Sequence, residues 1–212
     1  MRARSLLTLA LGFACSSGTG PAAITVTDDF ERIDLGPNWT HRIGTNAGIV
    51  GGKDFGALSF GFMSVDWTAN QFGADQFSEA TMAPGKDPNM LVQVHVRRQT
   101  VGSAARYGFH YTPEKIPPVW EIKFDGVPTP ETRILAEVAG SPPAVGEVIR
   151  IEARGREIRA YRNGQLVLSA TDNAPDAVLV AGGLGITTRM RQGTSTTYPT
   201  PIVASWKGGS LP

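Results

Sequence analysis

Residues 147–170 read EVIRIEARGREIRAYRNGQLVLSA, and this stretch decides the fold class of the chain. Apolar residues such as Ile149 and Ile151 alternate with charged ones, a period of two that is typical of strands with one buried face. Short breaks at Gly155 and at Asn163-Gly164 divide the stretch into three runs, and Asn-Gly favours a tight hairpin because both residues tolerate positive φ. The pattern therefore predicts a three-stranded antiparallel meander.

The same period of two continues outside the meander, for example in residues 92–97 and 120–125, and no amphipathic helix of three turns is indicated. Many short strands separated by Gly, Pro, Asn and Asp are typical of a two-sheet sandwich. We therefore predict an all-β fold, a two-sheet antiparallel jelly-roll sandwich that occupies residues 24–212 as one domain. The further predicted strands are 24–27, 39–43, 58–65, 77–82, 106–111, 133–138, 178–187 and 202–207.

The composition excludes several classes of protein. The 212 residues exceed the usual size of one domain, but all-β sandwiches often reach about 200 to 250 residues as a single unit. With 20 Lys and Arg against 19 Asp and Glu, the net charge of +1 provides no field that favours nucleic acid or an anionic membrane surface. The only cysteine, Cys15, cannot form a disulfide within the chain, which excludes a disulfide scaffold.

Residues 1–23 form a separate N-terminal segment with two possible roles. Arg2 and Arg4 precede an apolar run over residues 6–14, which is followed by Cys15. This order is typical of a secretory or lipoprotein signal, and the run is too short to span a membrane, which needs about 17 to 25 apolar residues. The alternative is an apolar arm that contacts other subunits of an assembly. The sequence leaves both interpretations open.

Four segments carry a resemblance to a known family. The opening DDFER at residues 28–32 and LGPNWT at 35–40 are followed in the C-terminal half by IRAYRNG at 158–164 and WKGG at 206–209. Together they resemble concanavalin A-like, laminin-G-like jelly rolls, in particular bacteriophage minor tail proteins. The resemblance covers about residues 26–210. It implies a curved sheet whose concave face or rim loops can hold glycans, and it says more about fold than about function.

Catalysis is not expected. Glucanases of this fold, as the resemblance implies, use carboxylates spaced Glu-x-Asp-x-Glu on one strand. The nearest match is Glu121, Lys123 and Asp125, in which a lysine replaces the central acid. Glu121 and Asp125 would lie about 13 Å apart along a strand, beyond the roughly 5 to 9.5 Å of glycosidase pairs. We therefore interpret them as part of an ion-paired face.

The sequence contains two sets of residues whose spacing is compatible with a metal site. A symmetric hairpin would place His95 directly opposite His110, although no further ligand completes a tetrahedral site there. Asp172, Asn173 and Asp176 supply hard oxygens in one loop and form a candidate Ca²⁺ site, which laminin-G-like relatives sometimes have. The alternative for this loop is that its Asx side chains bind their own backbone in turns.

A carbohydrate site needs an aromatic platform and planar polar groups. Trp67, Asn70 and Gln71 have the best local composition for such a site, and Tyr111 is a further candidate. We expect Trp67→Ala to weaken glycan binding without unfolding the domain. The other tryptophans continue alternating patterns and are assigned to packing: Trp39, Trp120 and Trp206.

Three arginines flank one predicted hairpin loop: Arg97, Arg98 and Arg106. They could bind an acidic glycan or a neighbouring subunit, but solvated surface arginine is the preferred interpretation.

These observations predict a non-catalytic virion structural or adhesion module that resembles a phage minor tail protein and contacts a host surface or cell-wall glycan. Such a module would be oligomeric, with residues 1–23 binding other virion or surface subunits, and many weak contacts would act together. The alternative is a secreted or lipid-anchored bacterial carbohydrate-binding protein. A glycan hydrolase is a third, less favoured possibility. No cofactor other than Ca²⁺ is expected.

Overall fold

A computed structural model of the chain describes residues 23–84, 90–99, 105–126, 132–174, 179–190 and 200–212. Within these ranges the chain forms fifteen strands and no helix. The strands are β1 (Thr25–Asp28), β2 (Trp39–Ile43), β3 (Ala47–Val50), β4 (Asp54–Ala57), β5 (Gly61–Trp67), β6 (Gln76–Met82), β7 (Leu91–Arg98), β8 (Arg106–Thr112), β9 (Val119–Asp125), β10 (Arg133–Ala139), β11 (Val148–Arg154), β12 (Glu157–Arg162), β13 (Gln165–Thr171), β14 (Gly183–Met190) and β15 (Thr200–Ser210).

The strands pair into two antiparallel sheets. One has eight strands in the order β13-β12-β11-β6-β15-β4-β3, with β1 also pairing with β15. The other has seven strands in the order β10-β9-β8-β7-β14-β5-β2. The predicted all-β jelly-roll sandwich is therefore confirmed. In the part of the chain that is described, no helix is long and apolar enough to cross a membrane.

The meander predicted over residues 147–170 is present as β11, β12 and β13. The turn between β12 and β13 has φ of 48° at Asn163 and 77° at Gly164, the conformation that the Asn-Gly pair favours. The inward residues of the meander lie in the core, as the alternation predicted, and include Ile149, Ile151 and Ile158.

Some strand boundaries differ from the prediction. The strand expected over 58–65 is displaced to Gly61–Trp67, and β3 and β4 were not predicted. Both are four-residue strands joined through Gly51 and Gly52, which have positive φ, so neither is long enough to show a clear period of two. Residues 1–22 lie outside the described ranges, so the predicted arm or signal segment has no structural account.

The core between the sheets is rich in aromatic residues. Trp39 lies 4.8 Å from Trp206 between ring centroids, and Trp67 stacks on Trp206 at 5.6 Å. Trp120 packs separately against Phe109, with centroids 4.9 Å apart. Aromatic contacts at these distances add to the burial of large apolar surfaces. The assignment of Trp39, Trp120 and Trp206 to packing is confirmed.

The seven-stranded sheet has a second face that is polar. Val92 and Val94 of β7 point into the core, so Gln93 and His95 point away from it, and all four side chains are buried. Glycines on the two adjacent strands make room for these polar side chains to lie along the sheet: Gly108 beside Gln93, and Gly185 beside His95. We call this surface the polar face. Its described buried members are Ser64, Asp66, Gln93, His95, Arg98, Arg106, His110, Glu121, Asp125 and Thr187.

Candidate functional site

A pocket of about 600 Å³ opens at the rim of the sandwich, beside the polar face. It lies where β5 and β7 end and β14 begins, and its volume is within the range of about 300 to 1,000 Å³ that is typical of small-molecule sites. We call it the rim pocket. Its lining residues are Arg42, Asp66, Trp67, Thr68, Asn70, Gln71, Phe72, Arg98, Gln99, Ala181, Gly182 and Gly183.

The rim pocket brings together three of the four residues predicted for glycan binding. Nε1 of Trp67 donates a hydrogen bond to Oδ1 of Asn70 at 2.9 Å, which holds the short loop after β5 against the end of that strand. Asn70 and Gln71 are exposed, and Phe72 is half-buried. Trp67 itself is only 8% exposed, so it presents the margin of its indole to the pocket while most of the ring packs on Trp206.

Tyr111, the fourth predicted residue, is not part of the pocket. It lies on β8 and packs against Trp120, with ring centroids 5.5 Å apart, and it is buried. Two strands, β7 and β14, separate β8 from the strand that carries Trp67. Three strand spacings of about 4.8 Å place the two backbones about 14 Å apart. The inclusion of Tyr111 is corrected: its inward position in an alternating strand makes it a core residue.

A β-bulge near the end of β7 places Arg98 in the rim pocket. Arg98 pairs with Gly183 of β14, and His95 pairs with Gly185. The two pairs are three residues apart along β7 but only two residues apart along β14, so β7 has one extra residue here. The bulged residue Arg97 has a φ of 55°. Because one extra residue reverses the alternation of faces, Arg98 points to the same face as His95. Simple alternation from His95 would have placed Arg98 in the core.

The expectation of solvated surface arginines is wrong. Arg97, Arg98 and Arg106 are all 1–2% exposed. Arg97 binds the carbonyl oxygens of Ala74, at 2.9 Å, and Gly155, at 2.6 Å, and so ties loops together. Arg106 forms an ion pair with Asp125 at 3.1 Å. Buried guanidinium groups of this kind need acceptors within the protein, which the loop carbonyls and strand carboxylates supply.

Asp66 is the charged centre of the polar face next to the rim pocket. Its Oδ2 accepts from Nε of Arg42 at 2.9 Å, and Nε of Arg98 lies 3.6 Å from the same oxygen. Its Oδ1 binds Nε2 of His95 at 2.9 Å. Burial alone would raise the pKa of Asp66, but the hydrogen bond to His95 and the charges around it outweigh burial and lower the pKa. Asp66 is therefore ionised at neutral pH.

His95 is neutral at that pH. Burial lowers its pKa from the ordinary 6.5 to about 4, although the hydrogen bond to Asp66 acts in the opposite direction. Since Asp66 is an acceptor, the single ring proton is on Nε2, and Nδ1 accepts from Thr187 Oγ1 at 3.2 Å.

The hydroxyl of Thr187 lies 2.9 Å from Ser64 Oγ, which in turn accepts from Nη1 of Arg98. A hydrogen-bonded chain therefore runs from Arg98 through Ser64, Thr187 and His95 to Asp66. Nε of Arg98 is buried and has no hydrogen-bond acceptor within the described part of the chain.

The predicted pairing of the two histidines is wrong. His110 pairs with Gln93, and His95 pairs with Gly108, a shift of two residues from the symmetric register. Nε2 of His110 lies 3.2 Å from Oε2 of Glu121, so each histidine has a carboxylate partner of its own. Across residues 23–212, with the gaps given above, no group of three or more His, Cys, Asp or Glu side chains is arranged to hold a metal ion.

Asp172, one of the three residues in the predicted Ca²⁺ loop, is fully buried and paired. Arg133 donates to both of its oxygens, at 2.8 and 3.0 Å, and the hydroxyl of Tyr107 donates at 2.7 Å. A cation at Asp172 would have to displace Arg133. Asn173 is exposed, and Asp176 lies outside the described residues, so the Ca²⁺ site stays a prediction.

The carboxylates of β9 are also paired with cations. Glu121 binds His110 and Lys115, and Asp125 binds Arg106 and Lys123. Burial would raise the pKa of Glu121, but hydrogen bonds from His110 and Lys115 outweigh it and lower the pKa to about 2. Burial would also raise the pKa of Asp125, but the charges of Arg106 and Lys123 outweigh it and lower the pKa. These carboxyl groups are therefore ionised at neutral pH and hold no proton to donate.

Comparison with solved structures finds the same sandwich in proteins of low sequence identity. A Bacillus subtilis protein of unknown function with a galectin-like fold matches at a TM-score of 0.59 and 11% identity, covering 89% of this chain and 94% of that one. Bacillus licheniformis beta-glucanase matches at 0.57 and 12%, covering 91% and 100%. Carbohydrate-binding module CBM66 from Bacillus subtilis matches at 0.50 and 18%, covering 82% and 92%.

These similarities show a concanavalin A-like sandwich and nothing finer than the fold. No family model matches the chain, and a search of curated proteins finds no match either. Nothing in the three structures compared points to a phage tail.

Proposed function

We propose that the chain is a non-catalytic carbohydrate-binding module and that the rim pocket is its glycan site. The observation that carries this proposal is the lining of the pocket. The margins of Trp67 and Phe72 provide apolar surface for the face of a sugar ring, and the exposed amides of Asn70 and Gln71 provide planar polar groups for its hydroxyls. Carbohydrate sites combine these two kinds of group, and they commonly lie on loops held by a rigid sheet.

The fold is compatible with this function. Two of the three structural neighbours have names that connect them with carbohydrates, one as a binding module and one as a beta-glucanase. Fold alone does not assign function, and the pocket chemistry must carry the argument. Of the settings predicted from the sequence, a secreted or surface carbohydrate-binding protein agrees best with these neighbours. A location in a virion, and contacts of residues 1–23 with other subunits, stay predictions from the sequence.

Two features support a binding rather than a hydrolytic role. A glycosidase acid needs a raised pKa so that it holds a proton at neutral pH. On the described polar face, Asp66, Glu121 and Asp125 have lowered pKa values instead. Asp66 is the only acid among the described residues that line the rim pocket, and its carboxylate is occupied by Arg42 and His95. Two carboxyl groups facing each other across the pocket would be required for the usual hydrolytic mechanism.

A glycan array followed by calorimetric titration of the best ligand tests the proposal. We expect Gln71→Ala to weaken the affinity about tenfold, because it removes an exposed amide from the pocket rim without touching the core. Gln165→Ala is the matched control, since Gln165 is exposed on β13 in the other sheet. If no glycan binds, or if both variants have equal effects, the rim pocket is not a glycan site.

A further inference from the structure

Resting on the proposed function, we infer that the rim pocket selects acidic glycans, and that Arg42 binds the carboxylate of a uronic acid-type sugar while the buried charge of Arg98 attracts it from behind. The first observation is the charge balance of the lining. Two guanidinium groups, those of Arg42 and Arg98, face one carboxylate, that of Asp66, and no other acid is among the described residues that line the pocket. His95, which binds Asp66 from the other side, is neutral. The described lining therefore carries a net positive charge of one.

The second observation is which of these charges a ligand can reach. The carboxylate of Asp66 is 1% exposed, whereas 28% of the side chain of Arg42 is exposed. A ligand that enters the pocket therefore meets cationic and amide donors first, and the one acceptor carboxylate is covered by its own partners. A carboxylate can accept hydrogen bonds from the hydroxyl groups of a neutral sugar, but the carboxylate of Asp66 is not available for that role. An anionic ligand is the chemistry that fits.

The third observation is the incomplete bonding of Arg98. It is 2% exposed, its Nη1 donates to Ser64, and its Nε has no hydrogen-bond acceptor among the described residues, since Oδ2 of Asp66 is 3.6 Å away. Burying a guanidinium with an unpaired N–H group costs free energy. A carboxylate bound beside Arg42 would add a second negative charge next to this guanidinium. Arginine suits this role because its planar fork matches the two oxygens of a carboxylate.

The geometry that holds the two arginines depends on a bulge and on an edge strand. Arg98 reaches the pocket because of the bulge at Arg97, and Gly182 approaches that bulge so closely that a Cβ there would lie 2.5 Å from the carbonyl oxygen of Arg98. Arg42 comes from the edge strand β2, next to β5. Arg42 is held by its hydrogen bond to Asp66, and Arg98 is held by its hydrogen bond to Ser64. Both guanidinium groups are therefore oriented before a ligand arrives, which lowers the entropy lost on binding.

The test compares each uronic acid-containing oligosaccharide with its carboxyl-reduced counterpart, which has the same sugar ring and linkages without the charge. We expect the acidic form to bind at least about tenfold more tightly than the reduced form, and its affinity to fall as NaCl is raised, because salt screens charge pairs near the surface. Arg42→Gln should remove most of this difference and Arg42→Lys only part of it. Arg159→Gln, at an exposed arginine of the other sheet, is the matched control and should have no effect.

The outcomes separate this inference from the proposed function. Equal binding of the acidic and reduced forms, or tightest binding of a neutral or sulfated glycan, overturns the carboxylate selectivity and leaves glycan binding intact. Failure of every glycan to bind overturns both. Circular dichroism of each variant checks that it is folded. A loss of affinity by Arg42→Gln that is the same for acidic and reduced forms would show that Arg42 binds hydroxyl groups rather than the charge.

Discussion

His95 and Asp66 form a buried hydrogen-bonded pair on the polar face, with Nε2 of His95 2.9 Å from Oδ1 of Asp66 and both side chains at most 1% exposed. The pair links the rim pocket to the centre of the seven-stranded sheet, because Asp66 also binds Arg42. Its state at neutral pH is a neutral imidazole that donates to an ionised carboxylate. The stability of the sheet should therefore depend on pH in a defined window.

We expect the free energy of unfolding to fall as the pH is lowered from about 6.5 to about 4. In that window the unfolded chain binds a proton at His95 and the folded chain does not, because burial has lowered the pKa in the folded state to about 4. The difference in pKa corresponds to about 3 kcal/mol of lost stability at the acid end. Urea unfolding at a series of pH values measures this slope.

The His95→Gln variant is the control for that slope. Its amide can still donate to Asp66 but does not titrate, so the variant should lose less stability than the wild type between pH 6.5 and 4. Glu121, whose pKa is lowered to about 2, also contributes to the pH dependence of the free energy of unfolding. Its contribution is the same in both proteins and is lost at more acidic pH. Identical slopes for the two proteins would show that His95 does not titrate as a buried neutral group.

Gly185→Ala should destabilise the fold by about 1 to 3 kcal/mol or more, the usual cost of overpacking. A Cβ at this position would lie 2.0 Å from the carbonyl oxygen of Val65 and 2.9 Å from Nε2 of His95, and the backbone oxygen cannot move aside easily. Gly73→Ala is the matched control, because its Cβ would meet nothing closer than Oγ of Ser210 at 3.5 Å. Equal midpoints of urea unfolding for the two variants would contradict the close packing of β5 and β14.

Trp67→Ala should lower the free energy of unfolding by about 3 to 5 kcal/mol, the usual cost of removing a buried aromatic side chain. The burial of Trp67 and its stacking on Trp206 make this expectation the opposite of the one drawn from the sequence. Asn70→Ala removes the partner of the indole N–H while the ring stays packed, and should cost about 1 kcal/mol. Thermal unfolding of both variants distinguishes a core Trp67 from a surface one.

Calcium should not raise the melting temperature of the protein. Both oxygens of Asp172 accept hydrogen bonds from Arg133, and the side chain is fully buried, so a cation has no free carboxylate there. Differential scanning calorimetry with added CaCl₂ and with EDTA makes the comparison. A stabilisation that is reversed by EDTA and absent from Asp172→Asn would instead support the Ca²⁺ site predicted from the loop sequence.

The fold could be predicted from the sequence because apolar and polar residues alternate along most of its strands. The meander over residues 147–170 follows a period of two closely, so its inward residues were evident. The short strands β3 and β4 were missed because four residues joined by glycines carry little periodicity. Local pattern therefore identified most strands and failed for β3 and β4.

The positions of several residues of the site could not be predicted from the alternation of apolar and polar residues. The bulge at Arg97 moves Arg98 to the polar face, and the two-residue shift of register separates His95 from His110. Register between strands is set by long-range packing, which a single sequence does not display. The group Trp67, Asn70 and Gln71 was found because the three residues lie close together in the chain. Arg42 was missed because only tertiary pairing brings it to Asp66.

Backbone amide NMR of the isotopically labelled protein, titrated with the glycan that binds most tightly on the array, locates the site directly. If the rim pocket is the glycan site, the largest shift changes should occur in residues 67–72, at Arg98 and Gln99, and in residues 181–183. Changes concentrated on β11 to β13 of the other sheet, or no change with any glycan, would contradict the assignment of this pocket to carbohydrate.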